Sequence, residues 1–331
     1  MPETLRTETR AGVRHVVLTR AAEYNTITPA LRDELAAAID EADDDPAAHV
    51  ILLRAEGPAF CAGYALDWGT AQQAAETAGE QGPEQGLERA AKASEHRPAQ
   101  RAAGERRRAR ASATERAEEP GPAQRAAGER RRVWDSVADH RMMSRFVATY
   151  MKLWYARKPT VAAVQGWCIG GGTDLVLCAD LVIAGEGASF GYPPARVWGT
   201  PTTAMWVYRM GLEKAKRYLL TGDEIRAPEA ARIGMILEAV PDAELLAHAT
   251  ALCERMARLP TNQLVMLKLL CNQTAEHMGI GSTRLLGTLF DGIARHTQEG
   301  LDFVSRAQEV GFRKAVRERD DPFGDYGSRK R

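Results

Sequence analysis

The chain has 331 residues, and 44 Lys plus Arg balance 44 Asp plus Glu, so no global field draws it to nucleic acid or to an anionic membrane. That length buries a sizeable core as one large domain or as one domain with an appendage. Cys61, Cys168, Cys178, Cys253 and Cys271 are scattered without any C-x-x-C, which predicts a reduced, cytoplasmic chain with neither disulfide framework nor zinc site. The first twenty residues lack the apolar core of a signal peptide, and no uncharged apolar run is long enough to span a bilayer.

Taken in order, Gly12–Thr19 (GVRHVVLT) predicts a strand. Thr28-Pro29 predicts an N-cap and a first-turn proline, opening a helix with Leu31, Leu35 and Ile39 on one face. His49–Arg54 predicts the next strand, and a loop follows from Glu56 to Leu66. Strand, helix and strand of these lengths indicate a crossover unit in an α/β core.

Between about 69 and 132 the composition shifts to Ala, Glu, Gln, Arg and Gly, and no aromatic residue occurs between Trp68 and Trp134. The string PAQRAAGERRR occurs twice, at Pro98–Arg108 and Pro122–Arg132, which marks a tandem duplication inside an insertion rather than a solenoid. Its arginines suggest either a phosphate- or RNA-binding arm or a solvated loop. Without interleaved aromatics for base stacking the solvated loop is preferred, and no nucleic-acid partner is expected.

Beyond the insertion, Met142–Trp154 is apolar at helical spacing and ends before Lys158-Pro159. Val161–Val164 and Leu181–Ala184 predict buried strands flanking a glycine turn, Gly166 to Gly170-Gly171-Gly172, and a compact helix from Thr173 to about Cys178. Three glycines at a strand-to-helix turn allow close approaches that a Cβ would block. The N–H groups freed there suit an oxygen that gains negative charge, with Asp174 close by. Ala188–Thr203 predicts a Gly/Pro-rich loop, followed by helices at Ala204–Met210 and Glu229–Ile233 and a strand at Leu237–Val240. Only helices are predicted after that: Ala243–Leu259, Thr261–Gln273, Ser282–His296 and Glu299–Arg317. Such a tail forms a lid or an oligomerisation element. Dinucleotide and P-loop fingerprints are absent, and no hydrolase nucleophile elbow is expected. The histidines stand isolated, Trp154, Trp167 and Trp198 read as packing, and Tyr64, Tyr192 and Trp198 are also candidates to line a ligand pocket.

Ala59–Trp68 (AFCAGYALDW), Lys158–Ala184 and the string LTGDEIRAPEAARIGMILEAV ending at Val240 together resemble the crotonase superfamily, the enoyl-CoA hydratases and isomerases. The likeness spans nearly the whole chain outside the insertion. It implies an α/β fold, a spiral of β-β-α turns over residues 1–256, with a C-terminal helical trimerisation region at 257–331. It also implies an acyl-CoA thioester substrate in fatty-acid β-oxidation, no cofactor beyond the CoA that the substrate carries, no metal, no membrane partner, and a homotrimer or dimer of trimers.

Laid onto this sequence, the resemblance gives the two oxyanion N–H groups to Tyr64 and Gly171, and the CoA-cradling backbone to Ala62, Leu66 and Gly170. The first of the family's two acid–base carboxylates falls at Asp174. The second is expected just after Phe190-Gly191-Tyr192-Pro193, where this chain has Pro194-Ala195-Arg196 and no carboxylate before Glu213. Hydratase activity is the family's first implication. Double-bond isomerisation on Asp174 alone, or with a carboxylate such as Asp67, is the alternative, and a catalytically silent acyl-CoA-binding protein is another. Arg196 reads either as an anion ligand for substrate or CoA phosphates or as a surface charge, and Asp180 as a structural cap.

Overall fold

The computed structural model of the chain describes residues 3–65 and 135–326. Met1–Leu66 and Asp135–Arg331 make one unit, and Asp67–Trp134, which contains the predicted insertion and its repeat, lies outside the described residues.

Two sheets organise the described unit. β1 (Leu5–Arg10) and β2 (Val13–Leu18) form a hairpin at one edge of a six-stranded sheet. β3 (Val50–Ala55), β5 (Thr160–Val164), β7 (Leu181–Gly185) and β10 (Glu238–Val240) continue it in parallel, giving the order β1-β2-β3-β5-β7-β10. The second sheet, β4-β6-β8-β9, is built from much shorter strands: Ala59–Cys61, Trp167–Ile169, Ser189–Gly191 and Ile225–Arg226. β3–β4, β5–β6 and β7–β8 each give their first strand to the large sheet and their second to the small one. This is the expected spiral.

The helices follow local signals. α1 (Pro29–Asp44) is capped by Thr28, whose hydroxyl accepts from Leu31 N–H at 3.1 Å, and it buries Leu31, Leu35 and Ile39 as its periodicity requires. α2 (Ser136–Tyr155) starts six residues before the predicted helix, because Asp135 caps it by accepting from the Val137 and Ala138 N–H groups. α3 (Gly171–Val176) begins on the glycines themselves. α4 (Met205–Met210), α5 (Leu212–Leu219) and α6 (Ala227–Arg232) precede β10, and α7 (Leu245–Ala257) covers the large sheet. Val13, Val50, Leu52, Val161 and Ile183 pack there against Ala249 and Cys253 of that helix. Burying a side chain of this size contributes about 1.5–3 kcal/mol.

α8 (Thr261–His277), α9 (Ile280–Arg295), α10 (Gln298–Val310) and α11 (Phe312–Asp320) complete the described chain. The single helix expected over Glu299–Arg317 is two, broken at Gly311, whose φ of +84° leaves the helical region. Among the described residues no helix is long and apolar enough to cross a membrane.

Candidate active site

The glycine turn brings two distant segments together. Gly170, at φ +57° and ψ −120°, takes a conformation that a side chain disfavours, and its N–H donates to the Gly191 carbonyl at 2.9 Å. Thr173 Oγ1 donates to the Cys168 and Gly191 carbonyls at 2.5 and 3.1 Å, which fastens α3 to β6 and β8. Gly172 meets the first loop backbone to backbone, since a Cβ there would stand 2.4 Å from the Cys61 carbonyl oxygen. A Cβ on Gly171 would stand 2.8 Å from the Tyr64 ring, and one on Gly63 would lie 4.0 Å from the Gly171 nitrogen. Tyr64 and Gly171, named from separate motifs, are therefore packed on each other.

Hydrogen bonds from elsewhere fix the first loop. Ile27 N–H donates to the Gly63 carbonyl at 2.8 Å, Ala65 N–H to the Ile27 carbonyl at 2.9 Å, and Ala62 N–H to the Tyr24 carbonyl at 3.1 Å. The Tyr64 ring meets Phe146 edge-on at 5.5 Å, and its hydroxyl accepts from Tyr150 at 2.9 Å. Ala62 is exposed, Gly170 is buried, and Leu66 and Asp67 lie outside the described residues.

Asp174 is fully buried in the first turn of α3. Its Oδ2 accepts from the Thr202 N–H at 2.7 Å and the Thr202 hydroxyl at 3.0 Å, and its Oδ1 accepts from Trp206 Nε1 at 3.2 Å. Burial pushes its pKa up to about 7 against the pull of those donors, and the carboxylate of Asp291 adds to the rise. Three donors leave a lone pair on Oδ1 to exchange a proton.

No sequence motif points to Asp291. It lies on α9, 5% exposed, paired with Arg295 one turn on, while Arg295 also donates to Asp139 of α2 at 2.6 Å. Burial raises its pKa too, while Arg295 opposes the rise. Its only sequence signal is that it is the one charged residue between Arg284 and Arg295.

Arg196 is neither an anion ligand nor a surface charge. Its guanidinium donates to Asp320 at 3.0 Å and to both oxygens of Asp325 at 2.9 and 2.8 Å, and it stacks on Phe323 at 3.9 Å. Arg196, in the stretch where the second glutamate is expected, thus anchors the C-terminal segment. Asp180 is structural as expected, accepting from Thr160 N–H at 2.7 Å and pairing with Lys268 at 2.9 Å. Trp198 packs on Phe303, outside the cluster around Asp174, whereas the Tyr192 ring meets Trp206 edge-on at 6.4 Å. Gly187-Ala188-Ser189-Phe190-Gly191 does have the G-x-S-x-G spacing, contrary to the expectation that no elbow pattern occurs. Ser189 lies in strand β8 and donates to Glu224 at 2.6 Å, so it is no strand-to-helix elbow.

The sequence pattern of the enoyl-CoA hydratase/isomerase family matches residues 8–95 and 129–309. A crystal structure of an enoyl-CoA hydratase from Mycobacterium smegmatis is similar to this chain at 38% identity and a TM-score of 0.78, covering 99% of this chain and 97% of that one. A Mycobacterium tuberculosis protein of the enoyl-CoA hydratase type, EchA13, is 30% identical over 274 residues, 81% of this chain and 72% of its own. A mitochondrial relative from Dictyostelium discoideum, of the same type by name, is 35% identical over 133 residues, so the match spans about half of that protein, 48%.

Proposed function

This chain belongs to the enoyl-CoA hydratase/isomerase family, and from that premise we propose that it binds an acyl-CoA thioester and carries it through an enolate, with hydration of a 2-enoyl-CoA as its activity. The observation that carries the reading is Asp174, a buried carboxyl with a pKa of about 7 in the first turn of the helix whose glycines pack on Tyr64. The N–H groups of Tyr64 and Gly171 are the proposed donors to the thioester oxygen, each such donor lowering the barrier by about 3 kcal/mol. Ala62, Leu66 and Gly170 are the proposed CoA-cradling backbone.

One carboxylate balances the reaction. The Asp174 carboxylate takes a proton from water as the water oxygen bonds C3, and the C2–C3 π pair moves toward the thioester oxygen as an enolate. The protonated Asp174 then returns that proton to C2, for a net addition of one water. A carboxyl that titrates near neutrality suits both halves. No further cofactor is called for in this reading, because backbone donors supply the electrophile.

Double-bond isomerisation is the second reading, favoured by Pro194-Ala195-Arg196, where the arginine is engaged by the chain end and no carboxylate stands. Here Asp174 takes the α-proton of a 3-enoyl-CoA and returns it to the γ-carbon. The five free cysteines support a reducing cytoplasmic setting, and fatty-acid β-oxidation is the pathway class that uses such thioesters. Met266, Leu269 and Leu270 of α8 and Phe290 of α9 are exposed, which supports contacts with further copies in a homotrimer or dimer of trimers. Sedimentation that returns a monomer at micromolar concentration rejects that assembly.

The test is incubation with crotonyl-CoA and with a 3-enoyl-CoA in D₂O, with Asp174→Asn alongside. A 3-hydroxyacyl product lost in the variant supports hydration. A 2-enoyl product from the 3-enoyl-CoA without added water, carrying deuterium at the γ-carbon to the extent that the Asp174 proton exchanges with solvent before its return, supports isomerisation. Binding of both esters without turnover sinks the enzyme reading and leaves an acyl-CoA-binding protein.

A further inference from the structure

Asp174 and Asp291 come from distant parts of the chain yet meet one short loop. Thr202 donates its N–H and hydroxyl to Asp174, and the Thr200 N–H faces the Asp291 carboxylate. α9 closes the back of that loop. Thr200 Oγ1 donates to the Gly287 carbonyl at 3.0 Å, and Thr288 Oγ1 to the Thr202 carbonyl at 3.3 Å. A Cβ on Gly287 would stand 2.6 Å from the Pro201 carbonyl oxygen, so helix and loop touch backbone to backbone. Asp291 stands one turn beyond Gly287 on the same helix face.

Several neutral groups surround Asp174 among the described residues. Tyr64, Tyr150, Tyr192, Cys168 and Cys178 all interact with it electrostatically, and burial pushes each of their pKa values up, so they stay neutral at ordinary pH. Among the largest influences on it, the one charged group is Asp291, whose partner Arg295 is shared with Asp139. Two carboxylates against one guanidinium leave that cluster with an excess negative charge when all three are ionised.

We propose that Asp291 is a positioning residue for Asp174, fixing the Thr200–Thr202 loop that supplies its donors and biasing, through its own charge, which protonation state Asp174 holds. The inference rests on Asp174 as the proton carrier of the proposed function. An ionised Asp291 opposes a second negative charge nearby and keeps Asp174 able to hold a proton near neutrality.

The test follows carboxyl resonances in protein labelled with ¹³C-aspartate between pH 4 and 9, with Asp174 and Asp291 assigned by their loss in Asp174→Asn and Asp291→Glu. Asp291→Asn keeps an oxygen for the Thr200 N–H and removes the charge. It is expected to lower the Asp174 midpoint, an about three- to tenfold change in its protonation constant. Asp291→Glu, which keeps the charge, is expected to retain the wild-type midpoint. An unmoved midpoint in folded Asp291→Asn overturns the proposal. If that variant does not fold, the charge is read by comparing Asp291→Glu with its isostere Asp291→Gln, which removes the charge at the same length; equal Asp174 midpoints in those two variants overturn the proposal equally. The acid limb of kcat/KM on crotonyl-CoA is expected to move with the Asp174 midpoint. A shifted midpoint in a protein that turns over no CoA ester rejects the proposed function and leaves the coupling standing.

Discussion

Asp174→Asn tests the electrostatics of the site through stability, without any assay of turnover. The carboxyl moves from an ordinary 3.8 to about 7 on folding, roughly 3 pH units. At 1.36 kcal/mol per unit this is about 4 kcal/mol of penalty for holding the ionised form in the folded protein. The sign follows from proton counts. Between pH 3.8 and about 7 the folded chain keeps a proton that the unfolded chain has lost, so stability falls as pH rises through that window. Below it the stabilising contribution is fully present; above it the contribution is gone. Asparagine does not titrate, so the variant escapes the loss. It carries a constant cost instead, because an oxygen kept on the Thr202 donors turns its amide N–H₂ toward Trp206 Nε1, donor against donor. A mispaired buried polar group costs about 1–3 kcal/mol.

Wild type has lost about 1.6 kcal/mol by pH 5 and about 4 by pH 8, so the variant is expected to lie within about 1 kcal/mol of wild type at pH 5 and to be about 1–3 kcal/mol more stable at pH 8, a relative gain of about 3 kcal/mol over that interval. Urea unfolding at pH 5, 6, 7 and 8, at one protein concentration for both proteins, measures it. Most of the pH dependence of Asp291 is common to both and cancels in the comparison. A difference in stability that stays flat within about 1 kcal/mol from pH 5 to 8 refutes the raised pKa and with it the neutral-pH proton carrier.

Two further outcomes are expected. Trp206→Phe removes the Nε1 donor that favours the ionised form of Asp174, so the Asp174 midpoint is expected to rise above the wild-type value of about 7, read from its ¹³C carboxyl resonance. The lost hydrogen bond and poorer packing cost about 2 kcal/mol on denaturation. Arg196→Met removes the guanidinium that pairs with Asp325 and that Asp320 shares with Arg319; breaking such a buried pair costs about 3–5 kcal/mol, and the C-terminal end is expected to become the first site of limited proteolysis. Unchanged stability and cleavage in that variant show that Arg196 is not the anchor of the chain end.

The sequence by itself determined what rests on local chemistry. Thr28 and Pro29 mark the start of α1, because a side-chain acceptor and a fixed φ act within one turn. The period-two and period-3.6 patterns found β2, β3, β5, β7 and most of the long helices. The glycine turn and Asp174 are adjacent in sequence, so their association was legible. The three-residue strands β4 and β6 were not, because each is held by pairing with other segments, β4 with β6 more than 100 residues away and β6 also with β8, rather than by its own pattern. Gly311 could also have been taken as a helix stop, and its left-handed φ makes it one.

What only the tertiary structure decided is which charges face which. Arg196 looked free in sequence and is claimed by Asp320 and Asp325, residues more than 120 positions later. Asp291, which no sequence motif singled out, stands behind the loop that holds Asp174. The pKa of Asp174 near neutrality likewise follows from how much water the fold removes and which donors it installs, and neither quantity is encoded within a few residues of the carboxylate. Local sequence sets backbone conformation, whereas the electrostatics of the site is a sum over groups that only the folded chain brings within reach.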